Sequence, residues 1–419
     1  MKQRKLARRL FIAIALALVF CAVLSAAAFA VESADQGVVV DTYDGLVQAL
    51  ANAGPGDFVT ARMPQTYMRI DENITVPAGV NLIFSDQAYV IITARIINYG
   101  VVVNKGILNF ELGGVFENLG AFTNLNYINN TYTGTIINRG DMANYKAFMN
   151  YGGTLVNEGY FLNSVDGADF EGWLFSYGTI INSGSLVNES GFDTFYVFDN
   201  RAGGEFINDG LCRNQDNGAF INNGLIQNND RLWTGGALDN YGVLINAGEF
   251  VSYGGTENNY GSIEGDGEFL LYSKISYDVN GGEPEIGGFT YIYRGETVHP
   301  DALPKGMIKN AYEFDGWALD GEDFDITKPI FTNITLVAKW RPISRVEYVK
   351  VSAYVVKLNG NQNELTIVVS EYYTNGTVLI SESVHMINNN AAGVYRASGY
   401  KVYVDTKGNT QIRACYIVE

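Results

Sequence analysis

The chain is poor in the residues that most enzymes and disulfide-rich proteins depend on. Its 419 residues include only two histidines and three cysteines. His299 and His385 lie beyond residue 273, so we expect no His–acid–nucleophile set and no imidazole metal site before that point. Cys212 and Cys415 are far apart in the sequence, which does not support a disulfide framework. We therefore expect no cofactor and no metal centre.

Basic residues are also scarce. The sequence has 28 Lys and Arg against 45 Asp and Glu, a net charge of −17. Five of the basic residues lie in residues 1–9; without them, 23 basic residues and a net charge of −22 remain. A field of this sign repels phosphate backbones and anionic lipid, and also pectin-like polyanions unless cations screen them. We expect neither nucleic acid nor a membrane as a partner of the mature chain.

Residues 1–30 have the pattern of an export signal. A basic start is followed by an apolar run from Leu10, and Ala28-Phe29-Ala30 has the small-x-small form that signal peptidase cleaves. The alternative is an uncleaved membrane anchor, because Leu10 to Ala30 is nearly long enough to span a bilayer. We expect cleavage after Ala30 and a secreted protein, located outside a bacterial cell or on its surface.

One short phrase recurs between Ile96 and Phe269: an apolar pair, then Asn, any residue and Gly. Recurrence on this scale predicts a solenoid of stacked turns, of which we expect eight to eleven. We expect Asn and Gly to adopt left-handed backbone angles at the corners, and the stacked Asn amides to form a hydrogen-bonded ladder. Clear copies are Asn98-Tyr99-Gly100, Asn138-Arg139-Gly140, Asn157-Glu158-Gly159, Asn182-Ser183-Gly184, Asn208-Asp209-Gly210, Asn222-Asn223-Gly224 and Asn246-Ala247-Gly248.

The start of the repeat region suggests how the solenoid is closed at that end. Residues 41–57 predict an amphipathic helix that stops at Gly54-Pro55-Gly56-Asp57, and the segment 74–80 reads Ile-Thr-Val-Pro-Ala-Gly-Val. This opening resembles that of pectate-lyase-like β-helices, in which a short capping helix precedes a Gly-Pro-Gly-Asp turn and a Val-Pro-x-Gly-Val segment. The resemblance implies a right-handed parallel β-helix over residues 31–273.

After residue 273 the sequence changes character. It carries, in order, Asn280-Gly281-Gly282, Gly295-Glu296-Thr297-Val298, Phe314-Asp315-Gly316-Trp317 and Leu336-Val337-Ala338-Lys339-Trp340. These motifs are similar to those of the internalin B-repeat family, also called the Listeria–Bacteroides repeat. The resemblance implies that residues 274–341 form a small β-grasp-like module of extracellular bacterial surface proteins. A single copy argues against a long stalk.

The remaining residues, 342–419, predict a small C-terminal β-sandwich. Asn375-Gly376 and Lys407-Gly408-Asn409 are hairpin turn signals between strand-like runs. The whole mature chain is therefore expected to be all-β. The strand-like runs are Val346–Leu358, Leu365–Tyr373, Val378–Ile387, Tyr400–Val404 and Gln411–Val418.

An enzymatic interpretation rests on acidic residues in the repeat region. The densest group is Asp166-Gly167-Ala168-Asp169-Phe170-Glu171, whose oxygens could bind calcium. The β-helix resemblance makes a polysaccharide lyase or glycoside hydrolase the alternative function. A solvated loop that bulges from a turn explains the same residues, and Arg139 occupies a variable slot typical of the surface. We therefore predict no catalytic residues.

Tyrosine recurs in the variable slot between Asn and Gly. Outward-facing rings at the corners could stack on sugar rings or on a protein partner. Ring-on-ring stacking that seals the corners is the alternative. We predict a non-enzymatic, adhesin-like surface protein that binds polysaccharide or a host or cell-surface protein through the β-helix. The candidate stacking residues are Tyr99, Tyr151, Tyr241 and Tyr260, with Tyr177, Tyr253, Trp173 and Trp233 as possible additions.

Overall fold

The computed structural model describes residues 37–413 except for 63–66, 166–171, 285–286, 358–361, 375, 389–391, 398–399 and 406–409. The predicted export signal, the acidic segment 166–171, the turn residues 375 and 407–409, and Cys415 lie outside the described residues. In the part of the chain that the structure describes, no helix has the length and hydrophobicity needed to cross a bilayer.

The repeat region folds into a right-handed parallel β-solenoid of about 11 turns, as the sequence predicts. Each turn contributes one short strand to each of three parallel sheets, in the order sheet 1, sheet 2, sheet 3. We name the corners between them corner 1–2, corner 2–3 and corner 3–1. Sheet 1 consists of Val38–Val40, Phe58–Ala61, Asn81–Phe84, Val101–Asn104, Ala121–Asn124, Asp141–Asn144, Tyr160–Asn163, Ser185–Asn188, Glu205–Asn208, Leu225–Asn228, Val243–Asn246 and Ser262–Glu264.

The other two sheets repeat the same short strands. The solenoid strands of sheet 2 are Met68–Ile70, Tyr89–Ile92, Ile107–Phe110, Tyr127–Thr131, Ala147–Tyr151, Trp173–Ser176, Gly191–Thr194, Leu211–Asn214, Arg231–Thr234, Glu249–Tyr253 and Glu268–Asp278. Sheet 3 consists of Ile74–Val76, Arg95–Asn98, Val115–Asn118, Thr135–Asn138, Thr154–Asn157, Thr179–Asn182, Val197–Asn200, Ala219–Asn222, Ala237–Asn240 and Thr256–Asn259.

The alternation of side chains along each four-residue strand explains how the apolar core forms. Its second side chain points into the solenoid and its third points outward, because side chains alternate along a strand. The inward residues of one turn therefore meet at the centre: the rings of Phe192, Phe198 and Phe206, one from each sheet, lie 5.1–5.7 Å apart. Cys212 is fully buried in this core, and burial raises the pKa of its thiol. Its register neighbours are Phe192 and Leu232.

A short helix covers the first turn. It runs over Tyr43–Asn52, shorter than the predicted segment, and buries Leu46 and Leu50 in the solenoid core. The hydroxyl of Thr42 accepts a hydrogen bond from the Gly45 amide at 3.1 Å and so caps the helix N-terminus. The predicted capping helix is thus confirmed.

Asparagine ladders run along two corners of the solenoid. At corner 3–1 the Nδ2 of each Asn donates to the Oδ1 of the next Asn along the stack, at 2.7 or 2.8 Å. Corner 1–2 carries a second unbroken ladder with the same distances. The first ladder consists of Asn98, Asn118, Asn138, Asn157, Asn182, Asn200, Asn222, Asn240 and Asn259; the second consists of Asn104, Asn124, Asn144, Asn163, Asn188, Asn208, Asn228 and Asn246.

Corner 2–3 is less regular. Asn130 donates to Asn150 at 2.8 Å, and Asn150 donates to the Ser176 hydroxyl at 3.0 Å. The next turn has Thr194 at this position, and the ladder resumes only where Asn214 donates to Thr234 at 3.0 Å. This corner therefore lacks the continuous amide stack that fixes the other two.

The role expected for glycine at the corners is partly wrong. Among the solenoid glycines of the Asn-x-Gly phrases, only Gly152 has a positive φ; other left-handed glycines, such as Gly113 and Gly203, lie at longer corners. The reason for glycine is a close approach instead. A Cβ on Gly140 would overlap the carbonyl oxygen of Gly120 in the previous turn, and the same contact recurs along corner 3–1. Glycine lets neighbouring turns stack there.

The described chain divides into two compact units. The first contains the solenoid up to residue 275 together with residues 289–300 and 326–334; the second contains residues 276–288, 301–325 and everything from 335 onward. The strand Glu268–Asp278 continues through the predicted boundary at residue 273. In the first unit the strand Phe289–Tyr293 pairs with it.

A charged pair closes the last turn of the solenoid. Glu257 occupies the inward position that Leu238 holds in the preceding turn. Its carboxylate lies 2.6 Å from Nη1 of Arg294, while Nη2 of Arg294 donates to the Gly255 carbonyl at 3.0 Å. Residues that follow the predicted solenoid boundary thus cap its apolar core.

The second unit brings residues of several of the sequence motifs together. The strands Tyr312–Leu319, Glu322–Asp323 and Ile334–Pro342 are antiparallel, and a 3-10 turn covers Pro300–Ala302. The ring of Trp317 lies 5.3 Å from Tyr277. Nε1 of Trp340 donates to the Val279 carbonyl at 3.0 Å, directly before the Asn-Gly-Gly turn.

The C-terminal residues form the predicted small sandwich. Its two three-stranded antiparallel sheets share one apolar core that includes Ile367, Ile387 and Val402. The strand Gly393–Ala397 did not stand out in the sequence. The first sheet consists of Val346–Lys357, Gln362–Tyr373 and Val378–Asn388; the second consists of Gly393–Ala397, Tyr400–Val404 and Thr410–Arg413.

Replacing Gly140 with Ala should destabilise the solenoid. The new Cβ would overlap the Gly120 carbonyl, so we expect the free energy of unfolding to fall by about 1–3 kcal/mol, the usual cost of overpacking. Urea denaturation followed by circular dichroism measures the change. Ser190→Ala is the matched control, because corner 1–2 already holds a Cβ at that position. Equal stability of Gly140→Ala and wild type would show that the corner can shift.

Replacing Asn157 with Leu tests the ladder itself. Asn157 is fully buried, accepts from Asn138 and donates to Asn182, each at 2.8 Å. Leu has a similar size but leaves both partners short of a hydrogen bond, so we expect a loss of about 2–3 kcal/mol in unfolding free energy. Asn223→Leu, at an exposed variable slot, serves as the control. Similar midpoints for the two variants would contradict a stabilising role for the ladder.

Candidate binding surface

The four tyrosines predicted as stacking residues lie at two different corners. Tyr99, Tyr241 and Tyr260 follow sheet 3 strands at corner 3–1, whereas Tyr151 ends a sheet 2 strand at corner 2–3. Their exposed fractions range from 41% to 66%. The side chains therefore face outward, as the slot predicts, but the four do not share one surface.

At corner 3–1 only two of these tyrosines are neighbours. The rings of Tyr241 and Tyr260 stack with centroids 4.9 Å apart and planes at 12°. Tyr99 lies seven turns from Tyr241, which is roughly 34 Å at about 4.8 Å per turn. In the turns between Tyr99 and Tyr241, the same slot holds other residues, such as Leu119, Arg139 and Asn223.

Corner 2–3 carries a longer stack. Tyr177 stacks on Tyr151 with centroids 5.8 Å apart and on Phe195 with centroids 4.2 Å apart, with planes within 15° of parallel. Tyr177 had appeared in the sequence as a secondary candidate. Phe195 had not, because it is followed by Tyr196 instead of Gly and so breaks the repeated phrase.

Stacking limits what these corner rings can offer to a ligand. Tyr177 has a ring on each side, so both of its faces are covered and its edge and hydroxyl are presented outward. This is the ring-on-ring arrangement, in which each pair contributes about 0.5–1.5 kcal/mol to stability beyond area burial. A ligand that packs against aromatic faces needs further rings.

Further rings lie beside this stack on the outer side of sheet 2. The strand Trp173–Ser176 directs Trp173 and Phe175 outward, with centroids 5.2 Å apart and planes at 15°. Trp173 lies against Gly191 of the next turn, where any Cβ would overlap the indole. We call Tyr151, Trp173, Phe175, Tyr177 and Phe195 the aromatic surface; they come from three consecutive turns.

An ion pair between a buried carboxylate and a partly exposed guanidinium adjoins the aromatic surface. Arg213 donates from Nε and Nη2 to the two carboxylate oxygens of Asp193, at 2.5 and 2.6 Å. Asp193 is on the outer side of sheet 2 yet only 1% exposed. The hydrogen bonds to Asp193 raise the pKa of the Arg213 guanidinium. The guanidinium carbon also lies 5.4 Å from the Trp173 ring centroid, within cation–π range.

The register of sheet 2 extends this arrangement into a line. Phe175 is opposite Asp193, Asp193 is opposite Arg213, and Arg213 is opposite Trp233. We call these four residues the Arg213 column. Trp173 and Trp233 had been grouped with the corner tyrosines, but both are on the flat outer side of sheet 2. Alternation with buried Leu174 and Leu232 was the sequence signal for this placement.

The remaining charged candidates from the sequence are Arg139 and the acidic segment 166–171. Arg139 at corner 3–1 pairs with Glu158 in the same slot of the next turn and with Glu117 of sheet 3, and Glu117 also pairs with Arg95, so Arg139 belongs to a cluster of ion pairs. The acidic segment 166–171 cannot be placed, since it lies outside the described residues. Within the described ranges, no group of three or more His, Cys, Asp or Glu could hold a metal ion.

The ion pair predicts a clear pattern of stability changes. Arg213→Met leaves the Asp193 carboxylate desolvated without its partner, so we expect about 2–4 kcal/mol less unfolding free energy. The double variant Asp193→Leu/Arg213→Met removes both charges and should recover most of that loss. Urea denaturation of the two variants and wild type checks this. Equal destabilisation of single and double variants would mean that packing, not charge, dominates.

A comparison of this chain with protein-family models, curated proteins and solved structures finds no match.

Proposed function

We propose that this protein is a non-enzymatic, adhesin-like binding protein of the bacterial cell exterior, whose solenoid carries the binding surface for a glycan or a protein. The observation that carries the proposal is the aromatic surface. Five outward-facing rings from three consecutive turns gather beside the Asp193–Arg213 ion pair. Large clustered aromatic residues and Arg are the side chains that contribute most to binding energy at protein surfaces.

The location outside the cell is proposed from the sequence of residues 1–30, with its basic start, apolar run and Ala-Phe-Ala site. Residues 274–341 would then be a surface-protein module like the internalin B-repeat. The contacts of Trp317 and Trp340 support this relation, because the motif residues pack against one another. The helix, turn and first sheet strands support a relation to pectate-lyase-like β-helices.

Binding of the mature chain, residues 31–419, to a glycan array and to intact bacterial and animal cells tests the proposal. We expect saturable binding that weakens about tenfold or more in Tyr151→Ser/Tyr177→Ser/Phe195→Ser. Tyr241→Ser/Tyr260→Ser is the matched control, because it removes a stacked pair from corner 3–1 and should leave the affinity unchanged.

Two results would count against the proposal. Release of reducing ends or unsaturated uronates from a polysaccharide, assayed with and without calcium, would make the protein a carbohydrate-active enzyme. Absence of binding to every glycan and cell type would leave the solenoid as a scaffold.

A further inference from the structure

The Arg213 column is a fixed polar site on an otherwise flat sheet. Outward positions of a solenoid sheet are normally solvated, and burying a carboxylate costs free energy unless it is paired. Asp193 is buried nevertheless, and its two oxygens hold Nε and Nη2 of Arg213. The guanidinium has five N–H hydrogens, so those not bonded to Asp193 remain as donors with a fixed direction.

Aromatic rings lie at both ends of this polar pair. Phe175 precedes Asp193 in the column and Trp233 follows Arg213, while Trp173 lies beside them against Gly191. Trp233 is itself held in place, because its Nε1 donates to Glu249 at 3.4 Å. Along the solenoid axis the column therefore presents an aromatic ring, a carboxylate, a guanidinium and a second aromatic ring, spaced at about 4.8 Å per turn.

This order of groups fits one kind of ligand. A pyranose has apolar C–H faces that pack on aromatic rings and hydroxyls around its edge that bond to carboxylate and guanidinium groups. One turn of the solenoid is comparable in length to one sugar residue of an extended chain. A folded protein partner would instead be expected to bury an apolar anchor in a pocket, and the column lies on a flat sheet.

The charges indicate that the sugar is uncharged. The chain carries a net charge of −17, which disfavours polyanions. Asp193 already neutralises Arg213, the one cation of the column, so a sugar carboxylate or sulfate gains no unpaired positive charge there. A neutral polysaccharide meets neither obstacle.

We infer that the Arg213 column, with Trp173, is a binding site for a neutral polysaccharide chain that lies along the solenoid axis on the outer side of sheet 2. This inference rests on the proposed binding function and gives it a site and a ligand class. Trp233 and Phe175 pack against sugar faces, and the N–H groups of Arg213 that are not bonded to the buried Asp193 carboxylate donate to hydroxyls.

Isothermal titration of the mature chain with hexasaccharides tests the inference. The probes are the hexamers of cellulose, xylan, mannan and chitin, with hexagalacturonate as the anionic counterpart. We expect at least one neutral hexamer to bind and hexagalacturonate not to bind. Trp233→Ala should weaken that binding about tenfold or more, as loss of an aromatic anchor does. Tyr99→Ala, an exposed ring far from the column, should change it less than about twofold, in line with energetically neutral residues.

Asp193→Leu/Arg213→Met provides a second variant whose fold is monitored by thermal unfolding. We expect it to lose affinity as Trp233→Ala does while keeping its melting transition. Failure of all neutral hexamers to bind, or unchanged affinity in both variants, overturns the inference. If the same wild-type preparation still binds an anionic glycan, a protein or cells, the proposed function survives. If it binds none of these, the proposed function fails too.

Discussion

The stacked asparagine amides are the interaction on which the solenoid depends. A buried primary amide needs both a donor and an acceptor partner, and in this fold the turn above and the turn below supply them. Asn138, for example, accepts from Asn118, donates to Asn157 and also donates to the Tyr160 carbonyl at 2.8 Å. A register slip of one residue would leave every amide in the ladder unsatisfied, so the ladders hold all turns in register.

Because the ladders fix the register at two corners, the outer surface can vary. The slot after each ladder Asn holds Tyr99, Arg139, Glu158 or Asn223 without disturbing the core. Corner 2–3 has an incomplete ladder and instead carries the stacked rings around Tyr177. Aromatic stacking there replaces part of the amide network and at the same time places large rings next to the outer side of sheet 2.

Much of this fold could be predicted from the sequence because the causes are local. The recurring apolar residue and Asn identify strand and corner, and the amphipathic segment around Leu46 and Leu50 identifies the capping helix. The prediction of a left-handed backbone angle was wrong for corner glycines such as Gly140. The constraint on Gly140 comes from the Gly120 carbonyl of another turn, which the local sequence does not reveal. The closure of the solenoid by Glu257 and Arg294 was equally hidden, since their contact joins segments with different sequence patterns.

The sequence by itself therefore determined the repeating unit: an inward apolar residue in each strand, an amide at most corners and an all-β solenoid. Only the tertiary structure decided which outward residues meet. Asn–Asn ladder steps span between 18 and 25 residues, so sequence spacing does not reveal which turn positions align. Tyr99 and Tyr151 occupy the same phrase at different corners, whereas Phe175, Arg213 and Trp233 line up on one face because the ladders stack their strands in register.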